Sequence, residues 1–348
     1  MSKSSVGESP MCAPAGAQVP FVSRDLISIS DFSPAEVKAV LDLTALMKAR
    51  PEDFRGVLSG KQIAMFFEKP SLRTRITFEA GIASMGGTSF FVDQTRSRLA
   101  AREPLSDIAH NLERWIHGIV LRTFDHETVS GIAKYASVPV VNALSDYEHP
   151  CQALADFFTL QEKFVDLRTV KLAYVGDGNN VAHSLMLAAA SLGSHIAVAT
   201  PAGYEPAQVV TKQAREIAAL TGATIEVTND ARHAATGADA VYTDVWASMG
   251  QEEESAERSK IFAPFQVNAE LFSLTSPNAI FMHCLPAHRG DEVTDAVIDS
   301  PSSVVFDQAE NRLHIQKAIL LVLLGGGMRR FPPIESREFS AGQRSAHA

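Results

Sequence analysis

Short apolar runs rich in β-branched and aromatic residues alternate with longer amphipathic runs through most of this sequence. The runs that predict strands are QIAMFF, TSFFVD, GIVLRT, VPVVNA, VKLAYVG, HIAVAT, TIEVTN, AVYTDV and AIFMHC. Between them, spacings such as that of Phe78, Ile82 and Met85, followed by Gly86, predict helices. Strands that alternate with helices form parallel sheets with helices on both faces. The sequence therefore predicts an α/β fold.

A helical stretch at about residues 150–164 divides this alternation into two units, so we predict two doubly wound parallel-sheet domains linked by helices. The length of 348 residues and the hydrophobic fraction of 46% suit two cores. The predicted segments are a flexible N-terminal tail (1–22), a first domain (23–150), a second domain (151–308), a last helix (309–325) and a flexible C-terminal tail (329–348).

Composition excludes several classes of function. The net charge of −9 and the lack of a basic face argue against nucleic-acid binding. No run approaches the ~18 apolar residues of a membrane span. Cys12, Cys151 and Cys284 are far apart and form no C-x-x-C pair, which argues against a disulfide framework or a structural zinc site and favours a reducing cytoplasm.

In open α/β sheets ligands bind beyond the carboxyl ends of the strands, so the residues that follow each strand matter most. The first strand is followed by SLRTR, which places Ser71, Arg73 and Thr74 at the start of a helix. The free N–H groups of a helix start attract anions, and arginine binds phosphate bidentately. Because two arginines oppose the helix dipole there, we favour an anion site over a solvated basic turn with Ser71 as the N-cap.

Other polar residues of the first unit lie at similar positions. Arg122 ends a strand, and His149 and Gln152 open the helix of HPCQ, with Pro150 at its first position. The His149 imidazole could donate a hydrogen bond to a carbonyl oxygen, or it could be a cap or a buried histidine with its own partners. Arg312, early in the last helix, could reach an anion.

The second unit carries a glycine-rich loop, YVGDGNNVAHS, after its first strand. A dinucleotide loop needs a third glycine where Val181 stands, so a nucleotide-dependent oxidoreductase is disfavoured. The amides of Asn179 and Asn180 suit a polar substrate such as an amino acid. Asp244 follows a later strand and could hold an ammonium group, while Ser248–Gly250 opens a charged segment that is either a closing lid or an acidic surface loop.

The last inner strand ends in HCLP, which raises the question of a nucleophilic thiol. Such a nucleophile needs an activating base nearby, and an extended strand would point His283 to the side opposite Cys284. We therefore interpret Cys284 as a group that lines the site and not as a covalent catalyst.

Four motifs, in this order, resemble those of the aspartate and ornithine carbamoyltransferases. SLRTR resembles the carbamoyl-phosphate loop of that family, usually S-T-R-T-R, and HPCQ resembles its second signature. DVWASMG (Asp244–Gly250) and HCLP (His283–Pro286) resemble the ornithine branch, where the first of them closes over ornithine. The resemblance covers about residues 25–325.

The resemblance implies two sets of binding residues. The carbamoyl-phosphate set is Ser71, Leu72, Arg73, Thr74, Arg122, His149, Gln152, Cys284, Leu285 and Arg312, where Leu72 replaces the usual threonine and offers its backbone N–H. The ornithine set is Asn180, Asp244, Ser248 and Met249. The catalytic groups are expected to be Arg73, Arg122, His149, Asp244 and Cys284. Arg98 stands where relatives carry a glutamine or histidine that reaches the neighbouring subunit's site.

The same resemblance implies a homotrimer, no metal or organic cofactor, a cis Leu285–Pro286 bond and a last helix that crosses back onto the first domain. The implied reaction carries the carbamoyl group of carbamoyl phosphate to the δ-amine of L-ornithine, giving L-citrulline and phosphate. One alternative is another acceptor, putrescine or an N-acylornithine, whose enzymes lack the S-M-G loop in this form. Another is a non-catalytic binding homologue, which would not need both sets of residues.

Overall fold

The computed structural model describes residues 21–247 and 254–325. The strands within these ranges form two sheets, and every strand pair is parallel. The first sheet contains β1 (Gln62–Phe67), β2 (Thr88–Asp93), β3 (Gly118–Arg122) and β4 (Val140–Leu144). The second contains β5 (Lys171–Val175), β6 (His195–Ala199), β7 (Ile225–Thr228), β8 (Ala240–Thr243) and β9 (Ile280–His283).

Helices connect the strands and cover the sheets. In chain order they are α1 (Pro34–Ala49), α2 (Leu72–Ser84), α3 (Leu105–Leu112), α4 (His126–Tyr135), α5 (Pro150–Lys163), α6 (Asn180–Leu192), α7 (Gln208–Thr221), α8 (Ala231–Ala235), α9 (Ser255–Phe262), α10 (Ala269–Phe272), α11 (Asp295–Ile298) and α12 (Val305–Leu324). Local signals set several ends. Ser33 and Glu36 form a capping box at the start of α1, and Gly86 follows α2 with a φ of 82°.

The strand orders are β2-β1-β3-β4 and β7-β6-β5-β8-β9. Each sheet therefore has one point where successive connections leave toward opposite edges: between β1 and β3 in the first sheet, and between β5 and β8 in the second. A crevice opens at the carboxyl ends of the strands at such a point, which is where α/β proteins bind ligands. The topology thus provides two adjacent candidate half-sites.

Helices α5 and α12 join the two halves of the molecule. The side chains of α5 are buried from Pro150 to Leu160, which an amphipathic surface helix would not allow. Helix α12 packs against α1, α2 and α5, so it lies against the first sheet's helices after the second sheet is complete. The crossing of the last helix back to the first domain is therefore confirmed.

The predicted α/β fold with two parallel sheets is confirmed, with one change at a helix end. The last helix begins at Val305, not at residue 309, because SVVF turns directly into it. The predicted tails lie outside the described residues except for Phe21 and Val22, and the Val22 N–H donates to Glu36 Oε1 at 2.7 Å. No helix within 21–247 or 254–325 is both long and apolar enough to cross a membrane. The domain boundaries stay predictions.

Candidate active site

The first half-site is built around two buried guanidinium groups at the crevice between β1 and β3. Arg122, at the end of β3, is 7% exposed, and its Nε donates to the Lys69 carbonyl oxygen at 3.2 Å. Arg312, on α12, is 4% exposed, and its Nη2 donates to Thr74 Oγ1 at 2.5 Å. Burial and the charge of Arg312 lower the pKa of Arg122 to about 9, with a smaller contribution from Arg73.

This convergence of like charges is costly for a folded chain. Neither Arg122 nor Arg312 forms an ion pair with a carboxylate in the part of the chain that the structure describes. Buried charges are normally paired, because desolvation of an unpaired ion is expensive. An anion bound between the guanidinium groups would supply the missing charge, so the arrangement suits phosphate recognition.

His149 precedes α5 and faces the same cluster. Burial and the charges of Arg312, Arg122 and Lys69 lower its pKa well below the usual value, so the imidazole is neutral near pH 7. Its backbone N–H donates to Ser184 Oγ at 2.9 Å. A neutral imidazole can donate one hydrogen bond to a substrate oxygen without adding another positive charge.

Three buried polar atoms at this half-site have no hydrogen-bond partner among the described residues. They are His149 Nδ1, Gln152 Oε1 and Arg312 Nε. Buried polar atoms are paired in the great majority of cases, so each exception needs an explanation. Each of them is available to a polar ligand bound at this half-site.

The SLRTR motif divides its residues between two tasks. Ser71 caps α2, since its Oγ accepts from the Thr74 N–H at 3.2 Å. The alternative of a basic turn with Ser71 as the N-cap also predicted this bond. Arg75 turns away from the site, pairs with Glu79 at 3.1 Å and stacks on the Phe91 ring at 3.8 Å. Of the two arginines, only Arg73 lies within electrostatic reach of Arg122 and Arg312.

The second half-site centres on Asp244, which is 6% exposed at the carboxyl end of β8. Its Oδ1 accepts from Cys284 Sγ at 3.0 Å and from the Val245 N–H at 2.9 Å. Its Oδ2 accepts from Asn179 Nδ2 at 3.0 Å. Asn180 Nδ2 instead donates to the Ser145 carbonyl oxygen at 2.6 Å, which ties α6 to the loop before α5.

Cys284 is a thiol in this setting and not a thiolate. Burial raises its pKa well above the usual value, and the Asp244 carboxylate raises it further. A nucleophilic cysteine needs the opposite shift, so the structure supports the interpretation of Cys284 as a lining group. The pKa values of Arg122 and Arg312 both respond to Cys284, so the two half-sites face each other.

The residue after Cys284 has an unusual backbone. Leu285 has a φ of 58°, and the Leu285–Pro286 bond is cis, as the family resemblance implies. Leucine seldom adopts a positive φ, and such residues gather at functional sites. The Leu285 N–H donates to His283 Nδ1 at 2.9 Å, and His283 Nε2 contacts Glu292 Oε1 at 3.2 Å. His283 thus uses both ring nitrogens to hold the loop.

Asp244, His283 and Cys284 could in principle hold a metal ion, because one ligand atom from each lies within 4.8 Å of the others. Both nitrogens of His283 already have partners, and both oxygens of Asp244 accept hydrogen bonds. A metal ion would have to replace these bonds. The arrangement therefore suits hydrogen bonding better than ligation.

The glycine-rich loop after β5 serves close packing. The Gly178 N–H donates to the Tyr204 carbonyl oxygen at 2.9 Å, and a Cβ at position 178 would lie 2.3 Å from Pro206 N. Protein backbone thus covers the face of this loop against which a dinucleotide phosphate would lie. This packing argues further against a nucleotide-dependent oxidoreductase.

Sequence reasoning left several contributors unassigned. Asn179 was noted only as a polar amide, but it caps α6 and orients Asp244; an Asn before a helix is the signal for a cap. Lys69 was not singled out, yet it is 7% exposed beside Arg122 and His149. The Ser184 hydroxyl accepts a hydrogen bond from the His149 N–H, and no sequence pattern distinguishes this serine from any other helical serine.

Three predicted site residues require separate comment. Ser248 and Met249 lie outside the described residues. Arg98 is 57% exposed at its side chain and pairs with Asp125 of its own chain at 2.6 Å. Its expected contact with a neighbouring subunit stays a prediction.

Comparisons with known proteins agree with this geometry. Residues 24–162 match the family described as "Aspartate/ornithine carbamoyltransferase, carbamoyl-P binding domain", and residues 168–323 match its "Asp/Orn binding domain". The ornithine carbamoyltransferase of Thermococcus kodakarensis is 52% identical over 313 residues, covering 88% of this chain and 98% of that protein.

Solved structures give the same result. Ornithine carbamoyltransferase from Pyrococcus furiosus matches with a TM-score of 0.86 and 50% identity, covering 89% of this chain and 99% of that one. The enzyme from Thermus thermophilus matches with a TM-score of 0.79 and 47% identity, covering 87% and 100%. The motifs, the two parallel sheets and these matches lead to one conclusion: the chain belongs to the aspartate/ornithine carbamoyltransferase family.

Proposed function

We propose that this protein transfers the carbamoyl group of carbamoyl phosphate to the δ-amine of L-ornithine, giving L-citrulline and phosphate, in arginine metabolism. One observation carries the proposal. Arg122 and Arg312, buried without a carboxylate partner among the described residues, lie opposite the hydrogen-bonded pair of Asp244 and Cys284. The first group suits a dianionic phosphate, and the second suits an amine nucleophile.

Carbamoyl phosphate binds first, at the crevice of the first sheet. Its phosphate lies at the start of α2, with Ser71, the Leu72 N–H, Arg73 and Thr74, and is held by Arg122 and Arg312. Gln152, Leu285 and His149 contact the carbamoyl group. Negative charge develops on the carbonyl oxygen at the tetrahedral stage. Preoriented donors from Arg73, Thr74 and His149 stabilise it by roughly 3–4 kcal/mol each.

Ornithine binds at the crevice of the second sheet. Asn180, Asp244, Ser248 and Met249 hold its amino-acid part, and Asp244 also lies near the δ-amine. This amine resembles a lysine amine, with a pKa of about 10.4, and must attack in its neutral form. Asp244 and Cys284 influence that proton, and the departing phosphate accepts it. No covalent intermediate on the enzyme is required, in keeping with the raised pKa of Cys284.

We further propose that the protein is a cytoplasmic homotrimer. The start of α2 exposes two apolar side chains one turn apart, Leu72 (76% exposed) and Ile76 (51%), and the adjacent edge strand β2 exposes Phe90 (46%). An apolar surface beside a binding site suits a subunit contact. Arg98 lies in the segment after this edge strand, from which it would reach the neighbouring subunit's phosphate. Cys151 and Cys284 are unpaired, as a reducing compartment would require.

The test of function is citrulline production from carbamoyl phosphate, with L-ornithine, putrescine, N-acetyl-L-ornithine and L-aspartate compared as acceptors. We expect turnover with L-ornithine alone. Turnover with another acceptor would leave the phosphate site intact and overturn the interpretation of Asp244–Gly250. No turnover with any acceptor would favour a non-catalytic homologue.

A matched pair of variants tests the phosphate site in the same assay. Arg73→Ala should raise the KM for carbamoyl phosphate and lower kcat together. Arg75→Ala, from the same motif but turned toward Glu79, should behave like the wild type. Equal effects of the two substitutions would contradict the assignment.

A further inference from the structure

Asp156 is a fully buried carboxyl on α5, one turn after Gln152. Its Oδ1 accepts from Gln152 Nε2 at 2.7 Å and from Gln308 Nε2, on α12, also at 2.7 Å. The other end of Gln308 accepts from the His283 N–H at 3.0 Å. One carboxylate oxygen therefore links Gln152 of the carbamoyl-phosphate half-site to the backbone just before Cys284.

The second oxygen of Asp156 points to a further partner. Asp156 Oδ2 and the Tyr242 hydroxyl are both buried, and neither has a partner of good hydrogen-bond geometry among the described residues. Yet the Tyr242 hydroxyl lowers the pKa of both Asp156 and Cys284, which places it beside both groups. Buried polar atoms usually have partners, so Tyr242 is a candidate neighbour for this oxygen.

We propose that Asp156 is a positioning residue for the reaction, which orients Gln152 through Oδ1 and, through Gln308, the backbone next to Cys284. The inference rests on the proposed function for its kinetic consequence. Asp156 touches neither substrate. It acts on the carbamoyl-phosphate half-site through one neighbour and on the Asp244–Cys284 pair through another.

The charges around Asp156 agree with a carboxylate whose ionisation matters. Burial raises its pKa to about 7, and the hydrogen bonds from Gln152 and Gln308, the nearby Tyr242 hydroxyl and the charge of Arg312 oppose that rise. A purely apolar packing role would not need a group this expensive to bury. The arrangement makes sense if the two glutamine amides must each point in one direction.

A matched structural contact lies one turn along the same helix pair. Thr159 Oγ1 accepts from Asn311 Nδ2 at 3.0 Å, again between α5 and α12 and fully buried. Like the bond between Asp156 and Gln308, it joins α5 to α12 through a side-chain amide, but its acceptor is an uncharged hydroxyl. It has no connection to Gln152 or Cys284, so Thr159→Val is a control for lost packing alone.

The kinetic test compares Asp156→Asn, Tyr242→Phe and Thr159→Val. Asparagine keeps the volume but removes the charge that two amides share. We expect kcat/KM for carbamoyl phosphate to fall at least about tenfold in Asp156→Asn, the loss of one charge-assisted hydrogen bond. Thr159→Val should stay within about twofold of the wild type even if its thermal unfolding midpoint falls equally. Unchanged kinetics in Asp156→Asn would overturn the proposal.

A second measurement needs no turnover: the rate of iodoacetamide alkylation at Cys284, mapped by peptide mass spectrometry in a Cys12→Ser background. Asp156 raises the pKa of Cys284 and the Tyr242 hydroxyl lowers it. Alkylation should therefore quicken in Asp156→Asn, slow in Tyr242→Phe and stay unchanged in Thr159→Val. Shifts of the same sign in the first two variants, or none, would overturn the link to Cys284.

The two measurements separate the inference from the proposed function. A wild type that makes no citrulline would refute the function, while opposite alkylation shifts would still establish the contact between Asp156, Tyr242 and Cys284. An active wild type with unchanged kinetics in Asp156→Asn would refute the positioning role alone. Gln308→Leu, which removes the link from Asp156 to the His283 N–H, should also lower kcat/KM and keeps the test decisive if Asp156→Asn does not fold.

Discussion

Replacing Arg122 with methionine should stabilise the empty protein while it abolishes phosphate binding. Arg122 is buried beside Arg312 and Arg73, and its pKa falls from 12.5 to about 9. At pH values below about 9 the folded protein therefore bears the full cost of keeping this guanidinium charged. The cost declines as pH rises from about 9 toward 12.5, where the unfolded chain also loses the proton.

The magnitude follows from the size of the shift. A fall of about 3.5 pH units corresponds to about 5 kcal/mol at 1.36 kcal/mol per unit. Methionine fills similar space but gives up the hydrogen bond to the Lys69 carbonyl oxygen, which costs about 1–3 kcal/mol for an unpaired buried acceptor. We therefore expect Arg122→Met to raise the free energy of unfolding at pH 7 by about 2–4 kcal/mol, net of both effects.

The assay is urea unfolding followed by circular dichroism, at one protein concentration, with and without inorganic phosphate. At a phosphate concentration of 100 times its Kd, the wild type should gain about 2.7 kcal/mol and Arg122→Met nothing. Arg75→Met is the control, because Arg75 is exposed and paired with Glu79; it should change stability by less than about 0.5 kcal/mol and keep the phosphate response. If Arg122→Met were less stable than the wild type and still stabilised by phosphate, the reasoning would be refuted.

Three further outcomes are expected from the second half-site and from His149. Asp244→Asn should raise the KM for ornithine at least about tenfold and the KM for carbamoyl phosphate less than about threefold, by steady-state kinetics; equal losses would contradict the assignment. Cys284→Ala should keep measurable activity, and intact-mass spectrometry of the wild type with carbamoyl phosphate should find no adduct on the thiol. Because the pKa of His149 is lowered, its stabilising effect is complete above about pH 6.5 and lost as pH falls below it. The difference in unfolding free energy between wild type and His149→Asn should therefore shrink below pH 6.5; a constant difference between pH 5 and 8 would show that His149 is not buried neutral.

Much of the architecture could be predicted because it depends on local pattern. The QIAMFF run became β1 with the same bounds, since a short apolar run before a turn has few other places to lie. Gly86 ends α2 because only glycine readily adopts a positive φ there. The predicted start of the last helix at residue 309 was late, because the helix begins at Val305, which packs on the second core.

The site was predictable only in part. The positions of Arg122 and Asp244 at strand ends follow from the sequence, since the carboxyl ends of parallel strands share one edge. The different positions of Arg73 and Arg75 do not follow from the sequence, because both stand in one basic motif. Arg75 points away from the site because it pairs with Glu79 and stacks on Phe91. The role of Asp156 could not be predicted from the sequence for a similar reason. Its partners Gln308 and Tyr242 lie far from it in the chain.

By itself, the sequence determined the alternation of strands and helices, the residues at the strand ends and the family motifs. Each of these depends on neighbours within a few positions, where periodicity and turn chemistry act. The tertiary structure decided which charges are buried together and hence which pKa values move. Arg122 and Arg312 repel each other because α12 returns across the molecule and brings Arg312 beside the end of β3. Cys284 keeps its proton because burial and the Asp244 carboxylate raise its pKa.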